Sequence, residues 1–187
     1  MRKAEIKRET KETKINLVLD LDGEGNLKGN IPLPYFKHLL ETLIFYASFN
    51  LDIYGEGDID VDPHHLIEDI GLTLGMALRS ALSSNFQRFS HQIIPMDDAL
   101  VMVALDISGR PFLGWHDEKN ILDKSRLIIK EFIRAFVNEA KITLHINIIS
   151  GENYHHVEEA IFKALGLALR YACSINEKTL STKGKIL

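Results

Sequence analysis

The chain carries one helical segment twice, 91 positions apart. HHLIEDIGLTLGMALRSA begins at His64 and HHVEEAIFKALGLALRYA at His155, and ten of the 18 paired positions are identical. The identities include both histidines, Glu68 with Glu159, and Leu74-Gly75 with Leu165-Gly166. A second pattern repeats at a shift of 93, where Phe36-Lys37-His38-Leu39-Leu40 pairs with Ile129-Lys130-Glu131-Phe132-Ile133. Leu43, Ile44 and Ala47 then match Phe136, Val137 and Ala140. Apolar residues at helical spacing predict a helix in each of these stretches. A repeat this long is a doubling of one unit, since solenoid periods are far shorter.

Strands frame the helices. Ile15, Leu17 and Leu19 alternate, and Leu100 to Leu105 is an apolar run. Glycine turns follow at Asp22-Gly23 and Ser108-Gly109. Further strands are predicted around Leu51 to Tyr54 and Ile142 to Ile148. Each half thus reads strand, strand, helix, strand, helix, with Asp58 to Val61 as either an extra strand or a loop. The expectation is an α+β fold, an internally duplicated two-layer α/β sandwich in which two helices cover each small sheet. Residues 1–187 form one domain with pseudo-repeats at about 1–93 and 94–187, and His116 to Arg126 is the flexible loop.

Composition narrows the function. A net charge of −4 with no basic block argues against nucleic-acid binding. No apolar run reaches the roughly 18 residues of a membrane span, and MRKAEIKRETKE has no secretory core. The lone Cys173 reads as helix core and fits a reducing, cytoplasmic setting.

The duplicated histidines point to metal chemistry. Asp62 and Asn153 are equivalent N-caps, with Pro63 welcome in a first turn. His64, His65, His155 and His156 therefore sit at positive helix ends, which favours neutral, ligand-ready imidazoles. Glu68 lies four residues after His64 and three after His65, able to share a face with either. Adjacent residues project about 100° apart on a helix, so the two rings of a pair should serve different ions. His38 and Glu131 hold equivalent positions on the other repeated helix. His38, His64, His65, Glu68, Glu131, His155, His156 and Glu159 then make eight donors, four per ion. Such mixed ligation suits Mn²⁺, Fe²⁺ or Zn²⁺. His91, His116 and His145 lack such companions and read as structural or exposed.

Several runs, in order, resemble imidazoleglycerol-phosphate dehydratases. They are RETKET from Arg8, Gly57-Asp58-Ile59-Asp60, HHLIED from His64, Arg88-Phe89, and Pro95-Met96-Asp97-Asp98-Ala99-Leu100. Leu105 to Pro111, Gly151-Glu152-Asn153, HHVEEAIFKA from His155 and Ser181-Thr182-Lys183-Gly184 follow. The resemblance implies dehydration of imidazole glycerol phosphate to imidazole acetol phosphate in histidine biosynthesis, through an imidazolate held by two manganese ions. It also implies a 24-subunit shell with sites at subunit contacts. By position, one metal set draws on His38, His64 or His65, and Glu68. The other draws on Glu131, His155 or His156, and Glu159. Glu12 matches a substrate-touching glutamate suited to acid/base work, with Glu68 and Glu159 as further catalytic carboxylates. Arg88, Arg110, Lys163, Ser181, Thr182 and Lys183 match substrate or phosphate contacts.

The chain also departs from the family pattern. Lys37 stands where an acid or amide is usual, Leu66 follows the first histidine pair, and Ser83 to Gln87 is short. Tyr46 replaces a substrate-contacting histidine and cannot carry a proton near neutral pH as imidazole does. A catalytically weak or silent member that keeps the metal-binding shell as a structural or storage assembly is the alternative. A two-zinc hydrolase on an unrelated fold is a third reading.

Overall fold

Alternating burial along the strands fixes one face of each sheet against the helices. The computed structural model describes residues 2–82, 85–118, 120–122, 127–178 and 181. The first half comprises β1 (Lys3–Glu9), β2 (Thr13–Asp20), β3 (Leu27–Asn30), α1 (Pro34–Ala47), β4 (Asn50–Gly57) and α2 (His64–Ala81). The second comprises β5 (Phe89–Met96), β6 (Ala99–Asp106), β7 (Phe112–His116), α3 (Leu127–Ala140), β8 (Thr143–Ser150) and α4 (Tyr154–Ala172). The sheets have matching orders, β1-β2-β4-β3 and β5-β6-β8-β7. The α+β class and the duplicated halves are as expected.

Each half holds one more strand than its sequence pattern suggests. β3 and β7 are short edge strands parallel to β4 and β8. Edge strands need only one hydrogen-bonded neighbour, and the LKGN sequence of β3 shows no alternation for periodicity to detect. Asp58 to Val61 is a turn, closed by Val61 N–H donating to the Asp58 carbonyl at 2.9 Å. In the stretch expected to be a flexible loop, His116 ends β7. Asp117 there accepts from the amides of Ile121 and Leu122, both at 2.9 Å. Lys119 and 123–126 lie outside the described residues, as do Ser83 and Ser84 of the short segment before Arg88.

The halves share one apolar core. Each second helix packs against the first helix of the other half, α2 on α3 and α1 on α4. The duplicated glycines make this possible. A Cβ on Gly75 would lie 2.5 Å from the Phe136 carbonyl oxygen, and one on Gly166 2.6 Å from that of Leu43. Gly71 adds a third approach, 2.5 Å from the Phe132 carbonyl oxygen. Phe132 in turn packs edge-on to Phe36 and stacks on Phe162, with centroids 5.1 and 5.8 Å away. Cys173 caps α4 and is 1% exposed, so burial pushes its thiol up to about 12.

In a free helix, alanine in place of glycine gains about 1 kcal/mol. At Gly75 the added methyl meets backbone that cannot rotate away, an overpacking cost of about 1–3 kcal/mol. Gly75→Ala and Gly166→Ala should therefore lower the urea midpoint, and midpoints at or above wild type would show that the helices can part.

Candidate metal centre

The helix starts hold the paired histidines by matching backbone bonds. His64 N–H donates to Asp62 Oδ1 at 2.7 Å and His155 N–H to Asn153 Oδ1 at 3.0 Å. Asn153 is the N-cap of α4, whereas Pro63 borders α2 and Asp62 caps from one residue further out.

The rings of each pair diverge. His155 Nε2 lies 3.1 Å from Glu159 Oε1, and His38 Nε2 lies 3.0 Å from the same oxygen. The His38 and His155 rings stack with centroids 6.1 Å apart. His156 instead turns Nδ1 to Asp98, with Asp97 3.6 Å from its Nε2. In the first half, His64 Nε2 is 3.4 Å from Glu68 Oε2. His65 Nδ1 is 3.1 Å from Asp58 and 3.8 Å from Glu12. Among the described residues, two groups thus bring three donor atoms within 4.8 Å of one another: His38, His155 and Glu159, and Glu12, Asp58 and His65.

Within one chain the grouping differs from the partition that the resemblance implies. His38 joins His155 and Glu159 within the chain, not His64, His65 and Glu68, because α1 packs on α4. Glu131, its counterpart on α3, is paired with Arg134 at 2.7 and 2.8 Å.

The local charges differ from one imidazole to the next. Burial raises the Glu159 carboxyl, but Lys163, 2.7 Å away, and His38 outweigh it and hold the group at about 2. Lys163, expected on substrate, is therefore engaged with Glu159. His156 and the amides of Glu152 and Asn153 hold Asp98 well below the usual carboxylate range. The Asp58 hydrogen bond raises His65 above its ordinary value, so the helix end does not decide that ring's charge.

Imidazole nitrogens and a carboxylate fit a borderline divalent ion. Glu159 is largely buried while His38 and His155 are partly exposed, which leaves an open side for a small molecule. Asp58 and Asp98 sit at Nδ1 of His65 and His156, a placement like that of outer carboxylates that orient imidazoles in metal sites.

Other expected contacts are dispersed. Arg88 forms a two-pronged ion pair with Asp106, at 2.6 and 3.1 Å, from a backbone with φ of 76°. Arg110 donates to the Ser108 carbonyl at 3.3 Å. Both lie at the Asp106 end of β6, whereas Asp98 and His156 lie at its start. Eight strand residues at roughly 3.3 Å each separate the two ends by more than about 20 Å. Tyr46 packs its Cβ against Gly166, eight residues along α1 from His38. Ser181 is half-buried, and Thr182 and Lys183 lie outside the described residues.

Glu12 occupies the β1–β2 turn, where Thr10 Oγ1 accepts from the amides of Glu12 and Thr13 at 3.1 and 3.0 Å. Arg8 donates to Asp69 Oδ1 at 2.9 Å, and the Thr13 hydroxyl donates to the other Asp69 oxygen. The buried Asp69 beside Glu68 thus ties this hairpin to α2. Sequence reasoning assigned no role to Arg8, Asp69, Asp58 or Asp98, although all four lie in the quoted motifs. Acids in turns next to a histidine-bearing helix start were the available signal.

Because folding raises the His65 pKa, its stabilising contribution to the metal-free protein is fully present below the unfolded value of about 6.5. That contribution fades as pH rises through the higher native value. Asp58→Asn should bring His65 back toward its ordinary value in an NMR titration of the ring; an unmoved midpoint would remove Asp58 as the cause.

Comparison with known proteins agrees with this geometry. Residues 31–169 match the family model described as imidazoleglycerol-phosphate dehydratase. The imidazoleglycerol-phosphate dehydratase of Dictyoglomus thermophilum is 63% identical, with all of both chains covered. That of Caldicellulosiruptor saccharolyticus is 46% identical over 97% of this chain and 96% of its own. The crystal structure of IGPD from Pyrococcus furiosus in complex with (S)-C348 superposes with a TM-score of 0.82 at 41% identity, covering 96% of this chain and 99% of that one. The Staphylococcus aureus enzyme gives a TM-score of 0.81 at 32% identity, covering 93% and 99%. The doubled fold, the paired histidine helices and these full-length matches together place the chain in the imidazoleglycerol-phosphate dehydratase family, hydro-lyases of histidine biosynthesis.

Proposed function

We propose that this chain dehydrates D-erythro-imidazole glycerol phosphate to imidazole acetol phosphate, using two Mn²⁺ per active site, with Fe²⁺ or Zn²⁺ as possible substitutes. The supporting observation is the gathering of His38, His155 and Glu159, with Glu12 placed beside His65 and its Asp58 partner in the first half. In this reading the ligands are His38, His64, His65, Glu68, Glu131, His155, His156 and Glu159. Bound divalent cations would supply positive charge at the ring nitrogens of the substrate, which eases loss of the ring proton.

The chain's own residues would do the rest. One carbon must lose a proton and its neighbour beside the ring must lose hydroxide. Glu12, on a turn braced by Thr10 and by the Arg8–Asp69–Thr13 contacts, is the carboxylate to move the carbon-bound proton. Arg88, Arg110, Lys163, Ser181, Thr182 and Lys183 would hold the phosphate, for which guanidinium and ammonium groups are strong donors.

The distance between Arg88 and His156 within one chain supports a shared site completed by neighbouring copies, and hence self-association into a 24-subunit shell. We read residues 1–187 as one domain of two pseudo-repeats. We place the reaction in the cytoplasm, where a lone thiol such as Cys173 stays reduced. No helix among the described residues is long and apolar enough to cross a membrane.

Tyr46 favours one second reading, a weak or silent member that keeps the assembly. Turnover of imidazole glycerol phosphate with Mn²⁺ decides between them, and no activity above a metal-free control would select the second. In an active enzyme, Glu12→Gln should lower kcat roughly 10²–10⁴-fold without changing metal content. His65→Ala and His156→Ala should each lose metal and break the large assembly on size-exclusion chromatography. Full metal content in both would remove these helices as ligand sources.

A further inference from the structure

The two histidine pairs do not have equivalent surroundings. Glu158 is fully buried directly behind His155. Tyr35 at the start of α1 donates its hydroxyl proton to Glu158 Oε2, and its oxygen lies 3.2 Å from His155 Nδ1. A phenol has one proton to give. With that proton directed to the Glu158 carboxylate, the phenol oxygen accepts from Nδ1–H of His155. Nε2 of the neutral ring then carries a lone pair. It faces Glu159 Oε1 at 3.1 Å, two electron-rich atoms that a cation would join.

The duplication supplies an internal comparison. The repeat shifts map Tyr35 onto Ile128 and Glu158 onto Ile67, both apolar. The polar pair therefore belongs to the His155 side alone. Neither isoleucine offers a polar atom to fix a tautomer of His64.

We propose that Tyr35 and Glu158 are positioning residues that fix the tautomer and orientation of His155, so that the His38–His155–Glu159 group binds a divalent cation more tightly than its counterpart around His64. This rests on the metal-binding reading above. Outer hydrogen bonds of this kind change metal affinity by about 10–100-fold.

The test is a Mn²⁺ titration of the full-length, metal-free protein by calorimetry or electron paramagnetic resonance. The wild type should show a tighter and a weaker step. Tyr35→Phe keeps the ring but removes the oxygen, and should weaken the tighter step roughly tenfold or more while leaving the weaker one in place. Glu158→Leu should do the same, because the freed phenol proton then turns to His155 Nδ1 and reverses the tautomer. Glu158→Gln keeps an acceptor for the phenol and should restore affinity to near the wild-type value, which a loss of packing alone would not predict. If Tyr35→Phe lowers the melting temperature of the metal-free protein, the Glu158→Leu and Glu158→Gln comparison carries the test. Unchanged tight binding in both Tyr35→Phe and Glu158→Leu, or equal loss in Glu158→Leu and Glu158→Gln, would overturn the inference while leaving the metal reading intact. A wild type that takes up no Mn²⁺ would overturn both.

Discussion

The contact on which the rest depends is the close crossing of helices from opposite halves. α1 lies on α4 and α2 on α3, with Gly166 and Gly75 at the points where backbone meets backbone. An interior glycine costs a helix about 1 kcal/mol, and here it is used to bring two helix axes together. The consequence for chemistry is direct. His38 comes from the first half and His155 and Glu159 from the second, yet their donor atoms gather within 4.8 Å. Neither half alone could assemble that group.

Around this frame, carboxylates set the imidazoles. Asp58 holds His65 and Asp98 holds His156, each through Nδ1. These two acids come from different places, the loop before α2 and the turn between β5 and β6. The duplication was therefore kept at the level of fold and of the paired histidines, while the supporting contacts of each half diverged. Lys163 on Glu159 and the Tyr35–Glu158 pair beside His155 are further contacts without a like residue at the repeat-related positions. Leu72 and Ile67 occupy the helix positions that correspond to Lys163 and Glu158.

The departures from the family pattern fall outside the donor atoms. Lys37 reaches toward Glu41 at 3.8 Å, one turn along α1, in a partly exposed pair that contributes little to stability. Leu66 is wholly buried under the first sheet, where its apolar volume serves packing. Tyr46 lies against Gly166 at the helix crossing. Each of these residues has a structural occupation in the chain, and none displaces His38, His155 or Glu159.

The sequence by itself determined the duplication, the helix and strand types and the helix starts at the histidine pairs. Those features are local or periodic, and periodicity is what a linear chain displays. It counted one strand too few in each half, since short edge strands such as β3 and β7 depend on a neighbouring strand and not on their own pattern. It also did not bring His38 to His155 and Glu159 within the chain, because the choice of helix partner is made by shape at Gly75 and Gly166, between residues more than a hundred positions apart in the second case. The raised His65, the lowered Glu159 and the Tyr35–Glu158 pair were likewise decided only in three dimensions. Electrostatic shifts depend on distance and burial, which exist only after the two halves have closed on each other.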